Sequence, residues 1–215
     1  MAARAPRRRL RQNDPAGTRE LILEEATRII GRYGVEELRL KDIADAVGIQ
    51  APSIYRHFTS REAIISTLAR NLTEELADFL TPDEDMEPRA WMEQWARGLV
   101  LFFAARPAYV RMMLRDLSAP GGFEPFTAAF GPVENTTQVD LVIRINQSFA
   151  KAYSRGVEAG LFKPGLHSSF FSLMFGAILV SLAWPYSGTR PSVAVADIER
   201  LQKQAVALAE TLLRP

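Results

Sequence analysis

Leu40-Lys41-Asp42-Ile43-Ala44-Asp45-Ala46-Val47-Gly48-Ile49-Gln50-Ala51-Pro52-Ser53-Ile54-Tyr55-Arg56-His57-Phe58 is the stretch that decides the reading of this chain. Leu40, Ile43, Ala44 and Val47 recur at spacings of three and four, which is the signature of a short amphipathic helix. Gly48 stops it. A second short helix is predicted over about Ala51 to Phe58, with Pro52 in its first turn, where the missing N–H costs nothing. Two short helices joined by a tight glycine turn make a helix-turn-helix pattern. Ile54 and Phe58, one turn apart, can anchor the second helix against Ile43 and Val47. That leaves Gln50, Ala51, Ser53, Tyr55, Arg56 and His57 outside. The outward set is small or hydrogen-bonding near the helix start, then aromatic and basic. It suits a helix that meets base edges in a DNA major groove with its first turn and phosphates with its second. Spacing alone leaves an ordinary helical hairpin equally open, and His57 taken alone reads as readily as a surface residue.

Working outward, Ile22, Ala26, Ile29, Ile30 and Tyr33 mark a preceding amphipathic helix, with Thr18 expected as its N-cap and Gly34 at its C-terminal stop. Ser60 is the expected cap of a fourth helix, about Arg61 to Leu80, with Ile64, Ile65, Leu68, Leu72 and Leu76 inward. The acidic, proline-bounded segment from Thr81 to Pro88 reads as a loop. Further helices are expected over about 88–105, 107–117, 134–159, 168–184 and 193–213. Residues 118–136, rich in glycine and proline, form an irregular connection. His167, opening the helix at 168, reads as structural. No strand alternation and no internal repeat interrupt this pattern, so the fold class is all-α, with about nine helices.

Composition narrows the function. The 215 residues contain no cysteine and two histidines. Disulfides, Cys-ligated metals and cysteine nucleophiles are therefore excluded, and no metal or other cofactor is expected. No Ser/His/Asp order or glycine-rich phosphate loop appears, so the chain is not expected to be an enzyme. The net charge is only +1, but it is unevenly spread. Residues 1–70 carry 13 Lys+Arg against 9 Asp+Glu, and residues 71–215 carry 13 against 16. Arg4, Arg7, Arg8, Arg9 and Arg11 make a basic arm that suits an anionic partner or serves as a solvated tail. No apolar run follows the arm as a secretory signal requires, and the apolar run Phe170–Trp184 is shorter than the roughly 20 residues that cross a bilayer. A cytoplasmic location with no membrane partner is expected.

Three blocks carry a resemblance: Lys41 to Ile49, Ser53-Ile54-Tyr55-Arg56-His57-Phe58, and Ser60-Arg61-Glu62-Ala63-Ile64. Together they resemble the DNA-binding signature of TetR-family transcriptional regulators over about residues 18–65. Beyond that, only length, helix count and helix order are similar. The resemblance implies a three-helix DNA-binding domain, a larger helical C-terminal domain, a homodimer, and a repressor released from double-stranded operator DNA by a small molecule. Carried over by position, it implies base contacts at Ala51, Pro52, Ser53 and Tyr55 and backbone contacts at Tyr55 and His57. It implies phosphate contacts at Lys41 and at Arg61, which stands where the family usually has lysine. Arg39 and Gln50 depart from the pattern by standing where hydroxyl caps are common, which leaves open that they contact DNA themselves. Gln50 and Arg56 complete the candidate DNA-contacting set.

The domain reading is a flexible arm over 1–17, a DNA-binding domain over 18–60, and a ligand-binding and dimerisation domain over 61–215, with helix 61–80 as connector. The aromatic wealth of the last part is either plain core or the wall of an apolar ligand site among the helices over 88–159. Trp95, Phe102, Phe103, Met113, Asn146, Phe149 and Tyr153 are the candidate lining residues. Asn146 either orients a ligand or bonds a neighbouring helix. The helix over 168–184 is apolar all round and reads as buried on nearly all sides. With the stripe of the last helix it suggests a four-helix dimer interface through Phe170, Leu173, Ala177, Leu201, Ala205, Leu208 and Leu212. The function expected is a ligand-responsive DNA-binding regulator. The alternative is a helical ligand-binding or membrane-surface protein whose basic arm meets a membrane.

Overall fold

The computed structural model describes residues 15–80, 86–118, 147, 149–187 and 193–215. The arm over 1–14, residues 81–85 of the acidic loop, the connection over 119–136, the start of the next helix and Asn146 lie outside the described residues, as does the side chain of His167. Among the described residues there are nine helices and no strand. They are α1 (Pro15–Tyr33), α2 (Leu40–Val47), α3 (Ala51–Ile54), α4 (Arg61–Phe79), α5 (Pro88–Ala104), α6 (Pro107–Ser118), α7 (149–158), α8 (His167–Ser187) and α9 (Val195–Leu213).

Helices α1 to α3 and the first turns of α4 close around Ile22, Ala26, Ile30, Leu38, Ile43, Ile54, Phe58 and Ile64, all buried. α1 begins at Pro15, so Thr18 lies inside the first turn and does not cap it. A proline at a helix start has no N–H to leave unpaired, which lets the helix begin earlier than the expected cap. Tyr33, expected in the apolar stripe, is 46% exposed, and Leu23 is buried in its stead. Tyr33 is the last residue before Gly34, whose φ of 98° turns the chain away, and the Arg32 guanidinium covers its ring at 5.3 Å.

In the C-terminal part, α5 packs along α9, α8 bridges α6 and α9, and α7 seats its aromatic face on α5 and α8. The head meets this body mainly where α1 crosses α6. At the crossing a Cβ on Gly31 would come within 3.4 Å of the Ala108 backbone nitrogen, so the glycine permits the close approach. α8, expected to be buried on nearly all sides, leaves one face open in the protomer. Leu173 is 55% and Val180 64% exposed, and Ala177 and Ser181 share that face. A uniformly apolar helix hides which side lacks a neighbour, because the sequence shows no periodic contrast.

Candidate nucleic-acid interface

The turn between α2 and α3 is set by Gly48, at φ 83°. Nothing lies within 4 Å of the position its Cβ would take, so the requirement is conformational and not spatial. The Gly48 and Ile49 N–H groups both donate to the Ala44 carbonyl, at 2.8 and 3.0 Å, which closes α2. α3 is one turn, shorter than the helix expected to Phe58. After Ile54 the bonds tighten, with Arg56 N–H donating to Ser53 O at 3.2 Å and His57 N–H to Ile54 O at 2.8 Å. Ile54 is fully buried and Phe58 nearly so, as the anchoring argument requires. The Arg19 guanidinium lies 4.6 Å from the Phe58 ring centre, a contact across 39 residues of chain that no local pattern announces.

The anchors aim the rest outward. Lys41, Gln50, Pro52, Tyr55 and Arg56 are exposed, Tyr55 by 60%, while Ala51, Ser53 and His57 are half-buried beside them. All eight thus reach the surface of the head. Neither Arg39 nor Gln50 caps its helix through its side chain. Ser60 does cap α4, its hydroxyl accepting from the Ala63 N–H at 3.0 Å. The Glu62 carboxyl is held below its ordinary range by its own backbone N–H, with help from Arg61 and Ser60.

Arg61 is placed differently from the other candidates. Its Nε donates to the Leu38 carbonyl at 2.8 Å and its Nη2 to the Val35 carbonyl at 2.6 Å. Glu62 lies 3.4 Å from Nη1. The side chain is 28% exposed, against 72% for Arg39.

The candidate lining residues of the body are packed on one another. Trp95, Phe149 and Phe170 have ring centres 5.5 to 5.9 Å apart. Phe102 and Phe103 meet Tyr109 at 6.0 and 5.8 Å, and Met113 is buried. Tyr153 stacks on Phe149, while its hydroxyl donates to the Lys163 carbonyl and accepts from the Leu166 N–H at 3.0 Å. Phe170, expected at a dimer interface, is instead 1% exposed and stacked on Phe149, so it belongs to the protomer core. The other interface candidates converge. Ala177, Leu201, Ala205 and Leu208 line a groove of about 70 Å³ between α8 and α9, and Leu173 lies farther along α8 with Leu212 farther along α9.

Sequence reasoning gave no sign of a cleft of about 420 Å³ where α1 and α2 face α6, lined by Arg28, Arg32, Arg39 and Arg111 together with Glu25, Glu37 and Asp42. Its walls come from distant parts of the chain. Among the described residues, no helix is long and apolar enough to cross a membrane.

Residues 22–68 match the profile of the N-terminal domain of bacterial regulatory proteins of the tetR family. The chain is 33% identical over 61 residues to the HTH-type transcriptional repressor KstR2 of Rhodococcus jostii, covering 28% of this chain and 30% of that protein. It is 27% identical over 75 residues to the class C tetracycline repressor protein of Escherichia coli, covering 35% and 34%. These matches span about a third of the relatives' length. Across the whole fold, the structure of the ketosteroid transcriptional regulator KstR2 of Mycobacterium tuberculosis superimposes with a TM-score of 0.66 at 21% identity, covering 92% of this chain and 95% of that one. Residues 22–68 thus match the tetR family of bacterial regulatory proteins, at the head of an all-helical fold that the chain shares with the KstR2 regulator of Mycobacterium tuberculosis.

Proposed function

We propose that the protein is a homodimeric transcriptional regulator that binds double-stranded operator DNA through the α2–α3 surface and leaves it when a small apolar or amphipathic effector enters the body. The observation that carries this reading is the pairing of buried Ile54 and Phe58 with exposed Tyr55 inside a segment matching the tetR-family profile. Lys41, Gln50, Ala51, Pro52, Ser53, Tyr55, Arg56 and His57 form the contact surface. Residues 18–60 act as the DNA-binding domain and 61–215 as the effector and dimer domain, with α4 joining them.

The effector reading draws on the aromatic cluster of Trp95, Phe149 and Tyr153 and on the likeness to a ketosteroid regulator. Two heads held by the exposed faces of α8 and α9 meet half-sites about one helical turn, roughly 34 Å, apart. Strain in α5 and α6 reaches the heads through α4, to which Arg106 is tied by an ion pair with Glu75 at 2.8 Å. A change in head separation then costs the dimer its match to both half-sites. The test is selection from a random-sequence duplex pool by the purified protein, followed by gel shifts over a salt series. Enrichment of a two-half-site sequence supports the reading. Binding with no sequence preference favours the membrane-surface alternative, which vesicle co-sedimentation then checks.

A further inference from the structure

We infer that Arg61 is a positioning residue for the DNA-binding head, holding the entry to α2 so that Arg39 and Lys41 face the DNA backbone, and is not itself a phosphate ligand. This rests on the DNA-binding reading above. The segment between α1 and α2 runs from Gly34 to Arg39, with Val35 and Leu38 buried at 3% and 1% exposure. Its backbone is braced internally by Leu38 N–H donating to Val35 O at 3.1 Å. Arg61, the first residue of α4, closes the same segment from outside, bonding the Val35 and Leu38 carbonyls with two arms of one planar guanidinium. A guanidinium presents its donors as a rigid fork, so one side chain fixes the spacing of two carbonyls.

The next residue along the chain is Arg39, the N-cap of α2, and its side chain makes no cap. The start of α2 therefore lacks the usual hydroxyl that satisfies its first N–H groups. The Arg61 clasp supplies from a distant helix the fixation that residue 39 does not. Lys41 sits in the first turn of α2, exposed, and Arg39 is 72% exposed with only a 3.7 Å approach to Glu37. Those two cations are available to a phosphate. The three nitrogens of Arg61 are directed to Leu38, Val35 and Glu62, and Glu36 stands 4.0 Å from Nη2.

The experiment combines hydrogen exchange on the free protein with a mutant cycle on DNA. In Arg61→Ala, exchange at the Leu38 and Ile43 amides should quicken while buried α1 amides keep their rates. The duplex is one enriched by the wild-type protein from a random-sequence pool. Arg61→Ala should weaken it roughly tenfold, the scale of losing charge-assisted hydrogen bonds. In an Arg39→Ala/Lys41→Ala background, adding Arg61→Ala should change neither affinity nor the slope of log affinity against log salt. A phosphate ligand at Arg61 would instead make that slope shallower by about 0.9 in the Arg39→Ala/Lys41→Ala background as well, which would overturn the inference. So would unchanged exchange at Leu38 and Ile43. An equal loss of affinity in both backgrounds would mean that Arg61 serves only general stability, and also overturns it. Circular dichroism checks folding, and Arg61→Gln takes the place of the alanine variant if that variant melts. If the wild type enriches no duplex, the DNA-binding reading fails, while the exchange result still decides whether the clasp exists.

Discussion

Tyr109 of α6 is sealed from solvent and bonds through its hydroxyl to Thr73 of α4, which is itself buried and donates to the Ala69 carbonyl at 2.9 Å. This polar link inside an apolar core joins the body to the helix that leads into the head. Together with the Arg106–Glu75 ion pair on the surface above, it fixes the register of α6 against α4. Removing the Tyr109 hydroxyl breaks this buried contact with Thr73. Tyr109→Phe should cost about 0.5–1.5 kcal/mol. For a chain of this size that is a fall in melting temperature of roughly 2–4 °C per kcal/mol. An unchanged melting curve would remove the link from the account.

Burial raises the ionisation of Tyr109 above the ordinary tyrosine range and pushes Tyr186 up to about 12. Tyr186 donates from α8 to the Ala104 carbonyl at the end of α5. Both are neutral in the folded protein and ionise more readily when unfolded. Their contribution is complete below the unfolded value, about pH 10, and is lost as pH rises towards the folded values. Urea unfolding midpoints should hold near pH 8–9 and fall above about pH 10. The fall should be shallower in Tyr186→Phe, and an identical alkaline slope in that variant would contradict the assignment.

Much of the head was legible in the sequence because its devices are local. Gly34 and Gly48 do end their helices, Ser60 does cap α4, and Ile54 and Phe58 are the buried anchors. Other features depend on neighbours remote in sequence. Arg61 reads as a phosphate contact from its position at a helix start, and no local pattern announces its hydrogen-bond partners, which lie 23 and 26 residues earlier. Phe170 belongs to the core because Phe149 stacks on it. The shortening of α3 reflects competition between three- and four-residue bonds, which spacing does not resolve.

Tyr55 is exposed and lies outside the core, so Tyr55→Ala should leave stability within about 0.5 kcal/mol. Affinity for the selected duplex should fall by about tenfold or more, since a lost base-edge contact is worth roughly 1–3 kcal/mol. Circular dichroism and gel shifts read the two effects separately. Unaltered affinity would take Tyr55 out of the contact surface.

Deleting residues 1–12 removes five arginines. If the arm meets phosphates, the slope of log affinity against log salt becomes shallower by up to about 0.9 per lost contact. Equal slopes would make the arm a solvated tail.

Ala177 and Leu208 line the groove between α8 and α9, and both reach solvent in the isolated protomer. Ala177→Asp or Leu208→Glu should therefore fold but dissociate, because the charge becomes costly only when a partner covers it. Sedimentation at micromolar concentration should show a dimer for the wild type and a 24.0 kDa species for each variant. A wild type that sediments as a monomer would contradict the interface.

The central claim is that the α2–α3 surface reads sequence and does not merely attract polyanions. The most direct test compares wild-type affinity for the selected duplex with that for a shuffled duplex of the same length and composition at physiological salt. A ratio of about 10³ or more is expected, the usual gap between specific and non-specific binding. Equal affinity for the two duplexes, however tight, would contradict it.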